Sequence, residues 1–163
     1  MKKRANVTKF VSLVAIVVLF VCGCSRTNNR DTVSLPLTSG DVVAVTYDGG
    51  WNFNVDKKIL SKDGKVVTIG FVSSDNYDDN LDLFKRYKNQ GVNTVVGVDP
   101  SGNKYVESTN SVSAFRLAWI NGSGTGYIMR ADSNCIDGFS HISFKTEKTK
   151  KNIDKSSSLD VFS

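Results

Sequence analysis

The chain has 163 residues, with 21 lysines and arginines against 16 aspartates and glutamates, and a single histidine. Four of the basic residues lie in the first 23 positions, which hold no acidic residue, so the remainder balances 17 against 16 and carries no basic footprint for nucleic acid. Removing those 23 positions leaves 140 residues, which suits one domain with a sizeable core.

Lys2, Lys3, Arg4 and Lys9 precede an apolar-dominated run from Phe10 to Val21, and then comes Val21-Cys22-Gly23-Cys24. A charged start, an apolar stretch and a small-residue cleavage site, in that order, predict an export signal over 1–23. As a helix the apolar run rises roughly 18 Å, short of the ~30 Å hydrocarbon core, so a spanning segment is not expected. Val21, Cys22 and Gly23 ahead of Cys24 resemble the lipobox of bacterial lipoproteins, with Cys22 an uncommon occupant of its position. The resemblance implies a diacylglyceryl thioether, with palmitate-type chains, on Cys24 and cleavage before it. Two acyl chains supply the stable anchor that one does not. Ser25, after Cys24, lacks the aspartate that resembles an inner-membrane retention signal in diderm bacteria. The expected location is therefore the outer face of the cell membrane or, in a diderm, the outer membrane. With Cys22 removed and Cys24 capped, Cys135 has no partner for an intramolecular disulfide and reads as a small buried apolar residue.

Residues 24–40 read as a lipidated N-terminus and flexible tether with an edge segment at its end. Sixteen residues from Ser25 to Gly40 extend at most roughly 55 Å and average ~22 Å as a coil. A single α+β domain is expected over 41–147. Val42–Tyr47 is rich in β-branched residues and breaks at Asp48-Gly49-Gly50. Trp51, Phe53 and Val55 then alternate with polar residues, as a half-buried strand does. A turn at Lys62-Asp63-Gly64 leads into Val66–Val72, and three such segments in succession suggest an antiparallel meander. Tyr77, Leu81, Phe84 and Tyr87 recur at helical spacing up to Asn89-Gln90-Gly91, which predicts an amphipathic helix over about 76–89 with a glycine cap. Further strands are expected at 92–98, 104–107, 112–120 and 127–130. A short second helix over about 132–142 would carry Ile136, Phe139 and Ile142 on one face. The fold class is thus a mainly antiparallel sheet of about six to eight strands with one clear helix. Residues 148–163, rich in lysine and serine, read as a disordered polar tail.

Several groupings invite a chemical reading. Asp75, Asp78, Asp79 and Asp82 form the densest acidic cluster, but Tyr77 and Asn80 stand where a calcium loop needs a ligand and a glycine. A helix N-terminus that attracts carboxylates accounts for most of it. Cys135, Asp137 and His141 offer a nucleophile, an acid and a base, at a spacing that does not share one helix face. With one histidine and one free cysteine, a zinc site is unsupported, and no cofactor is expected. The loop Asn121–Gly126 has alternating glycines, yet a strand rather than a helix follows, so a mobile hairpin connection is favoured over a phosphate cradle. Trp51 and Trp119 are the candidate ligand-facing residues for a sugar or an apolar molecule, with core burial the commoner fate of such positions. No catalytic set is assigned.

The strand ending in Tyr47-Asp48-Gly49-Gly50-Trp51, the glycine-led strand Gly64–Val72, the helix, and the closing Phe139-x-x-Ile142-x-Phe144 unit resemble the PsbP/Mog1-like domains. The likeness implies an antiparallel sheet flanked by helices and an accessory or adaptor role with no shared catalytic residues. The function expected is a membrane-anchored, non-enzymatic binding domain that meets a protein partner at the cell envelope. The alternatives are an envelope enzyme using carboxylates such as Asp48, Asp99 or Glu107, and a carrier of small ligands or lipids.

Overall fold

The structure, a computed structural model, describes residues 29–162. The signal segment 1–23, the motif Val21, Cys22 and Gly23, and the lipidation site Cys24 lie outside those residues. Ten strands and one α-helix are present among the described residues. A seven-stranded antiparallel sheet has the order β3 (Asn52–Asn54), β4 (Ile59–Lys62), β5 (Lys65–Val72), β9 (Gly126–Asp132), β8 (Ser113–Trp119), β7 (Lys104–Thr109) and β6 (Asn93–Val98). A second sheet has β2 (Val42–Asp48) between β1 (Arg30–Pro36) and β10 (Ile142–Lys148). The class is α+β, as the alternating and helical periods predict.

Strand alternation sorts the side chains of the large sheet onto two faces. On one face Val67, Ile69, Ala114, Ala118, Tyr127 and Met129 pack against Val43, Val45 and Phe144 of the small sheet. On the other, Val106, Leu117 and Trp119 meet Tyr77, Leu81 and Phe84 of α1 (Ser74–Asn89). The helix begins where Ser73 accepts the Asn76 amide on its hydroxyl. It ends in a Schellman arrangement: Gly91, at φ 78°, donates to the Lys88 carbonyl, and Val92 donates to that of Tyr87. Between β4 and β5 the two turn residues Asp63 and Gly64 both have positive φ, as a tight hairpin of this twist requires.

The structure departs from the sequence reading in four places. β1 pairs with β2 along its whole length, from Arg30 opposite Asp48 to Pro36 opposite Val42, so the edge segment expected at the end of the tether is present but reaches back to Arg30, and residues 30–36 are strand rather than tether. β2 sits in the small sheet, so the expected meander is replaced by a β3–β4–β5 unit that the break after Asp48 separates from β2. The short second helix expected over about 132–142 is present as a 3-10 helix, Ser133–His141, which buries Cys135, Gly138 and Phe139. The loop after β8 is pinned, because the buried Ser123 hydroxyl donates to the Ile120 and Thr125 carbonyls and Gly124 donates its amide to Asp41.

The fourth departure is the tail. Residues Ser156–Phe162 form a second 3-10 helix whose Leu159 and Phe162 are buried against the α1 side of the large sheet. The segment leading into it runs across the molecule, where the Trp119 indole N–H donates to the Ile153 carbonyl at 2.6 Å. Lys88 donates to the Phe162 carbonyl at 2.8 Å, and Lys155 pairs with Asp78 at 2.6 Å. A few well-placed apolar and backbone contacts order a stretch whose composition is that of a solvated tail.

Candidate functional site

The most concentrated group of ionisable side chains drawn from distant parts of the chain lies where β1, β2 and β10 begin or end together. Asp48, the last residue of β2, receives Arg30 Nε on one carboxylate oxygen at 2.8 Å and faces His141 Nδ1 with the other at 2.9 Å. The His141 ring stacks on Trp51, centroids 4.9 Å apart and planes 27° from parallel. Burial works against the ionised carboxyl, but the hydrogen bonds and charges of His141 and Arg30 outweigh it and hold Asp48 below the ordinary carboxylate range. Register places these groups: Arg30 sits opposite Asp48 in the β1–β2 ladder, and His141 immediately precedes the β10 residue paired with Tyr47. Asn29 is fixed here too, its carbonyl accepting the Gly49 amide. The arrangement orients an imidazole, as general-base sites do, and it also locks the start of β1 to the body of the domain.

The other carboxylates of the enzyme alternative are engaged inside the fold. Asp99 is buried and accepts the Ser101 and Asn103 amides at 2.8 and 2.9 Å, the Asn103 side chain at 2.9 Å and the Tyr127 hydroxyl at 2.9 Å. Burial, with the Asp99 charge beside it, pushes the Tyr127 hydroxyl well above its ordinary value, so it remains a donor. Asn103 continues the network to the Phe144 carbonyl and so stitches the β6–β7 turn to the small sheet. Glu107 takes two hydrogen bonds from Arg116 on one oxygen, at 2.9 and 2.7 Å. The Arg116 guanidinium also donates to the Phe139 carbonyl and lies 3.8 Å from the Tyr105 ring centre. Asp48, Asp99 and Glu107 thus belong to three separate networks.

The remaining candidates are distributed as follows. Trp51 and Trp119 are 7 % and 3 % exposed, so both are core residues and neither turns a face outward for a ligand. Trp119 meets Tyr77 edge-on at 5.1 Å. Cys135, Asp137 and His141 are not brought together: Cys135 is buried with its thiol on Asn134, Asp137 pairs with Lys65 at 2.6 Å, and His141 turns to Asp48. Of the acidic cluster, Asp78 pairs with Lys155 and Asp82 with Lys85, while Asp75 alone is in the first helical turn.

Sequence reasoning missed the Asp48–His141 pair, whose partners are 93 residues apart. It missed the role of Asp41 as well. That buried carboxylate joins the β1–β2 turn to the Gly124 loop and to Thr149 and Lys150. No sequence signal announces the first, because Trp51, Asp48 and the sole histidine meet only through the fold. No helix among the described residues is long and apolar enough to cross a membrane. Comparison with protein-family models, with curated proteins and with solved structures gives no match.

Proposed function

We propose that this chain is an exported lipoprotein, held at the outer face of a membrane through acylated Cys24, whose domain acts there as a non-enzymatic binding or accessory module for an envelope protein. The observation that carries the reading is the ordered run of basic residues, apolar stretch and Val21-Cys22-Gly23-Cys24. The fold is in keeping with it. The first strand among the described residues starts at Arg30, six positions after Cys24. The separate structural tasks of Asp48, Asp99 and Glu107 weigh toward the binding reading and away from carboxylate catalysis. The resemblance to PsbP/Mog1-like domains points the same way.

The test is Cys24→Ala in the full chain. Acyl labelling is expected to disappear, and the protein to leave the membrane fraction or stay as an uncleaved precursor. A variant that remains labelled and processed defeats the anchor. Crosslinking in the native cell, followed by identification of the captured protein, tests the accessory role; recovery of the domain with no envelope protein at all would defeat it.

A further inference from the structure

β6 ends the large sheet, and among the described residues no strand pairs with its outer side. Exposed sheet edges are ordinarily protected by charge, proline, a bulge or brevity. This one has none of these: Asn93-Thr-Val-Val-Gly-Val98 is six residues long and uncharged, and its register with β7 is unbroken from Asn93 opposite Thr109 to Val98 opposite Lys104. Val95, Val96 and Val98 are 46, 41 and 62 % exposed, three of the seven large apolar side chains left exposed in the described domain.

The direction of the free backbone groups follows from the turn. Asp99 donates its amide to the Asn103 carbonyl, one step beyond the Val98–Lys104 pair. In an antiparallel ladder the bonded positions alternate, so Asn93, Val95 and Gly97 spend their N–H and C=O groups on β7. Thr94, Val96 and Val98 turn theirs outward. These three positions are symmetric about Val96. The next position, Val92, is already used: its amide donates to Tyr87 and its carbonyl accepts the Thr94 hydroxyl.

We infer that β6 pairs with β6 of a second copy of this chain, antiparallel and centred on Val96, to join the two large sheets into one. Val96 then faces its own copy, and Thr94 of each chain faces Val98 of the other. All the outward groups of the three residues are satisfied by about six main-chain hydrogen bonds. Centring on Val95 instead would set Val98 against the already occupied Val92, which selects the Val96 register. Apolar contact supports the same pairing. Val96 lies on the α1 face of the sheet, opposite the buried Val106, and the C-terminal 3-10 helix packs on β6 and β7 there, leaving Val161 57 % exposed. A two-fold axis brings this valine strip against an identical strip with no charge in the strand to oppose it.

Oxidative crosslinking of the full chain in cells tests the pairing. Val96→Cys should give a reducible product of twice the chain mass at a yield about tenfold above that of Val112→Cys, a 72 % exposed site in the β7–β8 turn, and above the unsubstituted chain. In the purified full-length protein, Val96→Lys should weaken the dimer by about tenfold or more in native mass spectrometry, because two like charges would meet on the axis. Equal crosslinking at Val96 and Val112, a monomeric parent protein, or a Val96→Cys product joined to a different polypeptide would each overturn the inference. Because the readouts are dimer mass and yield, they hold whether or not Cys24 is acylated.

Discussion

Asp41 is 1 % exposed and accepts hydrogen bonds from the hydroxyls of Ser39, Thr125 and Thr149 and from the amides of Gly124 and Lys150. Burial opposes its ionisation, and the donors led by Thr125 and Thr149 more than offset it, so its pKa lies below the ordinary value. A carboxyl depressed in the folded state contributes stability that is fully present above the unfolded pKa of about 3.9 and is lost as pH falls through the lower folded value. Asp41→Asn should therefore cost about 2 kcal/mol at neutral pH. In thermal melts followed from pH 7 downward, the gap between parent and variant should narrow below about pH 4. A gap independent of pH would show that the charge is not what the loop depends on. Nothing in the residues around Asp41 announces this role, because its donors come from positions as far away as Thr149 and Lys150.

Elements whose pattern is strong along the chain were legible in the sequence, and those ordered by a few distant contacts were not. α1 carries its own instructions: the Ser73 cap, the Tyr77-Leu81-Phe84 stripe and Gly91 are all local. β1 buries only Leu35, because an edge strand on an outer sheet needs little apolar surface, and so its composition resembles a linker. The C-terminal 3-10 helix has the same property, with Leu159 and Phe162 set among serines and lysines. Its contribution is measurable. Phe162→Ala should lower unfolding stability by about 2–4 kcal/mol, since it removes a buried ring from the cluster of Tyr77, Leu81 and Trp119. Chemical denaturation is the check; a change under about 0.5 kcal/mol would mean that the segment adds nothing to the core. The candidate site obeys the same logic, because Asp48, Arg30 and His141 converge through strand register, which no local pattern encodes.

For the molecule as a whole, the start of β1 decides how far the domain stands from its proposed anchor. From Cys24 to Asn29 the chain advances five residues, a span of at most about 18 Å, against roughly 55 Å for the longer tether that composition suggests. A fluorescent label on Asn52→Cys, which follows the Trp51 turn near the start of β1, should be quenched by headgroup-borne quenchers if the proposed anchor holds. A label on Asp79→Cys of α1, on the opposite layer, should be largely spared. Equal quenching would mean that the domain tumbles freely above the surface.

The small sheet covers only one face of the large sheet, and Asn29 leaves from it, pinned to Gly49. Two copies joined through β6 as inferred would turn their strands in opposite directions, so no upright posture would let both chains reach one bilayer from the proposed anchor at Cys24. Lying flat would: with the proposed anchor in place the symmetry axis would stand along the membrane normal, both small sheets would rest toward the lipid, and the two α1 helices would form the roof that faces away from it.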